Sequence, residues 1–214
     1  LGSFSTSSSA ISDIALGAII KLKETDTSRW IGEVTFQESV GNNDQIGTVL
    51  SPMNMEMSVI LPYGMQPSDH ASRLRLGVTN VTKLNQRYVW GSQVRRQFTI
   101  SDDNWAFGDR TELNSWVQYE LNQFVAWSLR LKITHQGKIV GKNSMIIAPV
   151  QAANPENYGG NEAYFGLGVN VVMDIFPGNI DRFGLEIMRP FMLEKNGLQM
   201  DSDYKINFGY QKSL

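Results

Sequence analysis

The strictest constraint on this chain is a two-residue alternation of apolar and polar side chains. In residues 123–134, Val125, Trp127, Leu129, Leu131 and Ile133 share one parity. Phe124, Ala126, Ser128, Arg130, Lys132 and Thr134 hold the other. A β-strand points successive side chains to opposite faces, so this segment reads as a strand with one greasy and one largely polar face. The final stretch repeats it: Tyr204, Ile206, Phe208 and Tyr210 alternate with Asp203, Lys205, Asn207, Gly209 and Gln211. Soluble barrels and membrane barrels both alternate in this way. They differ in which face points inward, and that difference decides what the protein can do.

The same pattern marks about nine strands, at 13–22, 29–39, 73–81, 87–100, 111–122, 123–134, 163–175, 182–193 and 203–211. Between them lie two long irregular regions, 41–71 and 137–162, punctuated by Pro, Gly and Asn. Within the first, 55–61 can extend as a further strand. Other connections are short and polar, near 23–28 and 83–86, with a tight Phe176-Pro177-Gly178-Asn179 turn. Long loops alternating with short turns are a habit of outer-membrane barrels. Aromatic residues near strand ends (Trp30, Tyr88, Trp90, Tyr164, Phe176, Tyr204 and Tyr210) suit the interfacial girdles of such a barrel. All 214 residues are expected in one domain, 1–214.

Composition removes several alternatives. The net charge of −2 and the scatter of Lys and Arg give no basic field for nucleic acid. No stretch reaches the roughly 20 apolar residues of a membrane helix. There are no cysteines, which excludes a disulfide framework, a zinc-thiolate site and a thiol nucleophile. Residues 1–12 are small and Ser-rich, without the basic start and apolar core of a secretory leader. The Ser-rich run 3–9 reads as a flexible segment.

The polar parity carries Glu112, Glu120, Arg130, Lys132, Asp174, Glu186 and Lys205. Burying unpaired charges costs several kcal/mol each, so that face must meet water. It lies either outside a soluble barrel or inside a wet lumen. Gly166, Gly168, Gly184 and Gly209 also fall on it, while the bulky residues crowd the other parity. Small residues on the concave side and bulky ones on the convex side favour the inside-out arrangement. The fold expected is therefore an all-β, antiparallel transmembrane β-barrel of about 8–12 strands. The seven charged residues are its expected lumen lining. In a small barrel the same charges can instead pair and plug the interior.

Other chemistry has weaker support. Met53, Met55, Met57 and Met65, with His70 nearby, offer soft ligands suited to Cu(I). The first three alternate, however, and Val59 and Leu61 continue the stripe, so packing or lipid contact is the preferred reading and no metal is assigned. There is no Gly-x-Ser-x-Gly elbow, phosphate loop or His-Glu-x-x-His helix, and His70 and His135 lack an evident nucleophile partner. No catalytic residue and no cofactor are assigned, and the chain is not expected to be an enzyme.

Several segments resemble a known family. They are Leu61-Pro62-Tyr63-Gly64-Met65-Gln66, Asn154-Pro155 with Gly159-Gly160, and above all the ending. Phe183-Gly184-Leu185-Glu186 through Pro190, Asn196-Gly197-Leu198-Gln199-Met200-Asp201-Ser202-Asp203-Tyr204 and Phe208-Gly209-Tyr210-Gln211 look like the C-terminal hairpin of a bacterial outer-membrane family. That family is named for transport in the meta-pathway of phenol degradation. The resemblance covers residues 12–214. It implies an outer-membrane barrel with a transport-like role, in contact with lipid bilayer and lipopolysaccharide and handled by the outer-membrane barrel assembly machinery. The chain looks shorter than typical members, so N-terminal strands are expected to be missing. It also ends in Leu214 where such strands often end in an aromatic residue.

The function expected is a channel or transporter for small, hydrophobic compounds in the bacterial outer membrane. Two alternatives stay open: a non-conducting structural barrel or subunit of a larger surface complex, and a soluble lipocalin-like binder.

Overall fold

A computed structural model describes residues 4–51, 53–147, 150–173 and 180–213. Asp174, the turn expected at 176–179 with Phe176, and the terminal Leu214 lie outside these residues. Among the described residues thirteen strands form: β1 (Asp13–Glu24), β2 (Ser28–Ser39), β3 (Ile46–Leu50), β4 (Glu56–Ile60), β5 (Ser72–Lys83), β6 (Tyr88–Ser101), β7 (Trp105–Ala106), β8 (Arg110–Glu120), β9 (Val125–Gln136), β10 (Val140–Gly141), β11 (Gly160–Met173), β12 (Ile180–Lys195) and β13 (Lys205–Ser213). The nine long strands pair in the order β1-β2-β5-β6-β8-β9-β11-β12-β13, each antiparallel to its neighbour. The four short strands make two small antiparallel ladders, a hairpin of β3 with β4 and a long-range pairing of β7 with β10. They occupy regions whose sequence reads as mostly irregular; only β4 coincides with an expected extension.

The sheet is an uninterrupted meander whose edges are β1 and β13. Among the described residues these two strands do not pair with one another, so the sheet is open where a closed barrel was expected.

The alternation of the sequence becomes two distinct faces. Val125, Trp127, Leu129 and Leu131 of β9 oppose Val171, Val169, Leu167 and Phe165 of β11 on the apolar face. Leu129, Leu167 and Phe208 are 47%, 58% and 70% exposed. On the other face, Arg130, Lys132, Glu112 and Glu186 are only part-exposed, although they are charged. The polar face is therefore the more sheltered of the two.

The short turns are closed by side chains. Thr25 Oγ1 accepts the Ser28 N–H at 3.0 Å. Asn85 Oδ1 accepts from Arg87 and Tyr88, at 2.9 and 3.0 Å. Asn122 Oδ1 accepts from Phe124 and Val125, at 2.8 and 2.9 Å. A short polar side chain that satisfies the turn's own amides is why Thr and Asn stand at these positions. The connections 25–27, 84–87 and 121–124 all lie at one end of the sheet. The connections 40–71, 102–109, 137–159 and 196–204 lie at the other.

The aromatic residues sort by end. Trp30, Tyr88, Trp90 and Trp127 stand exposed on the apolar face toward the short turns, and so does Tyr210. Phe36, Phe165, Phe191 and Tyr204 stand exposed toward the long loops. Tyr164 departs from the expected girdle. It lies on the polar parity, opposite Lys132, and is 1% exposed. Its nearness to a strand end placed it by height, but parity decided its face.

Among the described residues the compact apolar core is built outside the sheet. Tyr63, Trp105, Ile139 and Ile146 cluster with Ile60, Phe107, Ala153 and Tyr158 at the long-loop end. Tyr63 meets Trp105 edge-on at 4.7 Å, and Trp105 meets Phe107 at 5.4 Å. Such edge-to-face pairs add to the stabilisation from burial. Tyr158 Oη accepts the Gly64 N–H at 3.0 Å and donates to the Ala152 carbonyl at 2.7 Å. These contacts join three long loops into one cap. The Asp69–Arg73 pair, buried on both sides, anchors the cap to β5. Asp69 also accepts the Phe107 N–H at 2.9 Å, tying in the 102–109 connection.

The methionine stripe belongs to this loop end. Met53, Met55 and Met57 are all exposed, so they pack neither in a core nor on the sheet. His70 has φ 53° and turns its Nδ1 to Asp103 Oδ2 at 3.0 Å.

Candidate functional site: the polar face of the sheet

Register brings charged residues from distant sequence onto shared rungs. One rung runs Glu33, Gly77, Arg95, Glu112, Thr134, Glu162 across β2, β5, β6, β8, β9 and β11. The adjacent rung runs Thr35, Arg75, Gln97, Arg110, Gln136, Gly160. Neighbouring side chains on these rungs point the same way, so their charges must pair or repel.

They pair. Arg95 Nε donates to Glu33 Oε2 at 2.9 Å. Glu112 accepts from Arg110 at 2.6 Å and lies 3.3 Å from Lys132 Nζ. Arg130 Nε donates to Glu186 Oε1 at 2.6 Å, and Asn207 donates to the other carboxylate oxygen at 3.1 Å. Lys205 lies 3.3 Å from Glu162 and 3.8 Å from the centre of the Tyr164 ring. Arg130 also stacks over Trp116 at 5.2 Å.

Glycine makes the longer pairs possible. Arg130 and Glu186 belong to β9 and β12, with β11 between them. That strand presents Gly166 and Gly168 at the crossing. A Cβ on Gly166 would stand 3.5 Å from both Arg130 Cβ and Glu186 Oε1. The two side chains meet through the space a larger residue would fill.

Six of the seven residues expected to line the polar face are described. Glu112, Arg130, Lys132, Glu186 and Lys205 all take part in the ion pairs above. Glu120 is exposed at the short-turn end of β8, where it borders a cleft with Gln118, Asn122 and Arg182. Asp174 lies outside the described residues. The pairing differs from a simple match across two neighbouring strands: Lys132 meets Glu112, but Arg130 takes Glu186, 56 residues away.

Two members fall outside the sequence reading. The strand expected from 111 stops short of Arg110. Glu162 falls in the expected loop 137–162, though it pairs with Thr134 within β11. Glu33 lies in the expected strand 29–39, but alternation alone does not reveal its partner Arg95, 62 residues away.

Two of the clefts on this face share residues. One of about 160 Å³ is lined by Arg75, Arg95, Gln97, Arg110 and Glu112. A second, of about 290 Å³, shares Gln97 and Arg110 and adds Arg73, Gln136 and the cap residues Gly64, Gln66 and Asp69. The cap therefore reaches over the polar face at the long-loop end. No group of three or more His, Cys, Asp or Glu suited to a metal ion occurs among the described residues.

No protein-family model matches the chain, and no curated protein matches it.

Proposed function

We propose that this chain forms most of the wall of a bacterial outer-membrane β-barrel whose polar interior passes small solutes. The observation that carries the reading is the distribution of core. The compact apolar cluster sits in the loop cap, while the nine-stranded sheet exposes its bulky apolar face and gathers most of its charge on the other, with Arg96 and Arg189 among the exceptions on the apolar parity. Monomeric soluble proteins rarely leave apolar patches beyond a few hundred Å² bare. An apolar face spread over nine strands is far larger than that, and lipid is the natural cover. The long strands have 9 to 16 residues, enough for the roughly 9–11 that a tilted membrane strand needs. Exposed aromatic residues at both the short-turn and the long-loop ends fit the two interfaces. In this arrangement the long loops face outward beside lipopolysaccharide, and the alternating β13 suits a substrate of the barrel assembly machinery.

Lipid imposes one further demand. Exposed backbone amides at a sheet edge cannot stay unpaired in hydrocarbon. Directions alternate across the nine strands, so β1 and β13 run parallel. Closing the wall with antiparallel pairs alone therefore takes an odd number of additional strands.

The polar face sets the kind of solute. Charged pairs and glutamines line it, so small polar molecules suit it better than the hydrophobic compounds expected from sequence. A second reading, a structural barrel that conducts nothing, draws support from the ion pairing and from the 64–69 segment bordering the larger cleft. Planar-bilayer recording separates the two. Replacing Arg130 and Lys132 with Ser frees Glu186 and leaves Glu112 to Arg110 alone, so the open barrel should shift toward cations. Absence of conductance in the closed, reconstituted barrel favours the structural reading instead.

A further inference from the structure

We propose that the cleft between Arg75, Arg95, Gln97, Arg110 and Glu112 is a binding subsite for the carboxylate of a small, singly charged organic acid. The inference deepens the solute-passing reading above and rests on it for its biological setting.

Three adjacent strands build the cleft. Arg75 of β5, Gln97 of β6 and Arg110 of β8 occupy one rung, and Arg95 and Glu112 the next. All five side chains point to the polar face, into a space of about 160 Å³. That volume suits an organic anion of a few heavy atoms better than a large solute.

The charge is unbalanced in favour of an anion. Three arginines converge, and Lys132 approaches from β9, against the carboxylates Glu33 and Glu112. Glu33 is held by Arg95 and lies 4.0 Å from Arg75. Glu112 is shared by Arg110 and Lys132. Arg75 spends its Nη2 on neutral acceptors, the side-chain oxygens of Gln37 and Gln97, at 3.5 and 3.3 Å. Both contacts are long, and a carboxylate would be a stronger acceptor for the same group.

One donor lacks any acceptor. The Nε–H of Arg110 is buried, and no partner for it occurs among the described residues. Buried donors in folded proteins are nearly always satisfied, so an orphan of this kind calls for an explanation. The atom itself has no open surface, so a carboxylate satisfies it only when the 42%-exposed Arg110 side chain turns its fork toward the cleft.

Glu112 narrows the choice of anion. Its carboxylate lines the wall and penalises a second negative charge on the ligand. A planar monocarboxylate matches the guanidinium forks and carries only one charge. Entry is through the larger cleft, which shares Gln97 and Arg110 and extends under the cap past Arg73.

The test uses the full chain folded in detergent micelles, with butyrate as the probe and butyramide as its neutral isostere. Ligand-observed saturation-transfer NMR gives the affinities. Butyrate should bind and butyramide should not, and butyrate binding should weaken as salt rises. Arg75→Gln and Arg110→Gln should each weaken butyrate about tenfold or more. Arg110→Lys, which keeps the charge and loses the fork, should weaken it by a smaller factor. Arg29→Gln, at a short turn remote from the cleft, should leave it unchanged. Should the arginine variants misfold, the butyrate-to-butyramide ratio of the unaltered protein decides between the outcomes by itself. Equal binding of the two probes, or butyrate binding indifferent to Arg75 and Arg110, overturns the proposal. Inorganic phosphate that outcompetes butyrate overturns the choice of a monocarboxylate. Binding needs no conduction, so a barrel that binds butyrate yet passes no current removes the transport reading and leaves the subsite standing.

Discussion

Glu33 and Arg95 are two strands apart, and they meet because Gly77 stands between them on the same rung. Arg95 Nε reaches Glu33 Oε2 at 2.9 Å across the bare backbone of β5. A Cβ at Gly77 would lie 3.2 Å from Arg95 Cγ and 3.4 Å from Glu33 Cβ. The same device recurs where Arg130 reaches Glu186 over β11. Glycine on the polar face therefore has a specific use, which is to let charges pair over an intervening strand.

Gly77→Leu should force those two side chains apart. Overpacking of a filled site costs about 1–3 kcal/mol, and the loss should appear as a lower urea midpoint in refolding from micelles. Gly77→Ala should cost less, because the neighbours need yield only a few tenths of an ångström. Equal midpoints for wild type and Gly77→Leu would show that the pair contributes nothing the leucine disturbs.

The two faces of β9 make opposite predictions at adjacent positions. Leu129→Arg should destabilise the membrane-inserted protein by about 2–4 kcal/mol if the residue lies near the bilayer midplane. Because the chain has no cysteine, single labels at Leu129→Cys and Arg130→Cys are unambiguous. A fluorophore at 129 should be quenched by nitroxide-bearing lipid and one at 130 by aqueous iodide. The reverse pattern would sink the inside-out assignment.

Loop exposure follows from strand order. A membrane-impermeant maleimide added to whole cells should label cysteine at Asn143, in the 137–159 connection. It should spare cysteine at Asn85, in the 84–87 turn, until the cells are permeabilised. Labelling of both in intact cells would contradict the assignment of the long loops to the outer surface.

Asp69→Ala should detach the cap. It removes the partner of buried Arg73 and the acceptor of the Phe107 N–H together. Breaking a buried pair on one side costs about 3–5 kcal/mol, since the other charge stays behind without compensation. Protease sites within 40–71 should open while the strands remain protected. Unchanged loop protection would mean the aromatic cluster holds the cap without this anchor.

Alkaline pH should loosen the same cap. Burial pushes the Tyr158 phenol above the usual tyrosine range, against the opposing pull of the Gly64 N–H. The folded cap thus prefers the neutral phenol. Its contribution is fully present below the unfolded value of about 10, and is lost as pH rises through the higher folded one. Near-UV circular dichroism should show an alkaline transition in the wild type that is diminished in Tyr158→Phe. That variant also forfeits two hydrogen bonds, so it should be less stable at neutral pH. An identical alkaline transition in both proteins would assign the effect to another group.

Periodicity made the sheet legible before any coordinates. Period-two alternation states which residues share a face, and it did so correctly for β9, β11 and β13 because a strand's geometry leaves no other choice. The cost of burying charge then led to the expectation that the polar face meets water. The expected polar lining, from Glu112 to Lys205, followed from those two arguments alone. What alternation cannot carry is a partner. Glu186 reaches Arg130 only through the register of three strands and the glycines of β11, and Glu33 reaches Arg95 only over Gly77. The cap was equally hidden, because Tyr63, Trp105, Ile139 and Ile146 come from three loops with no common period. Their burial depends on where the strands deliver the loop ends in space. The open edges at β1 and β13 are likewise a property of strand order, which no local run of residues encodes. Local sequence determined the faces of this protein; tertiary structure chose which charges on the polar face would meet, because pairing depends on distances that only the register between strands sets.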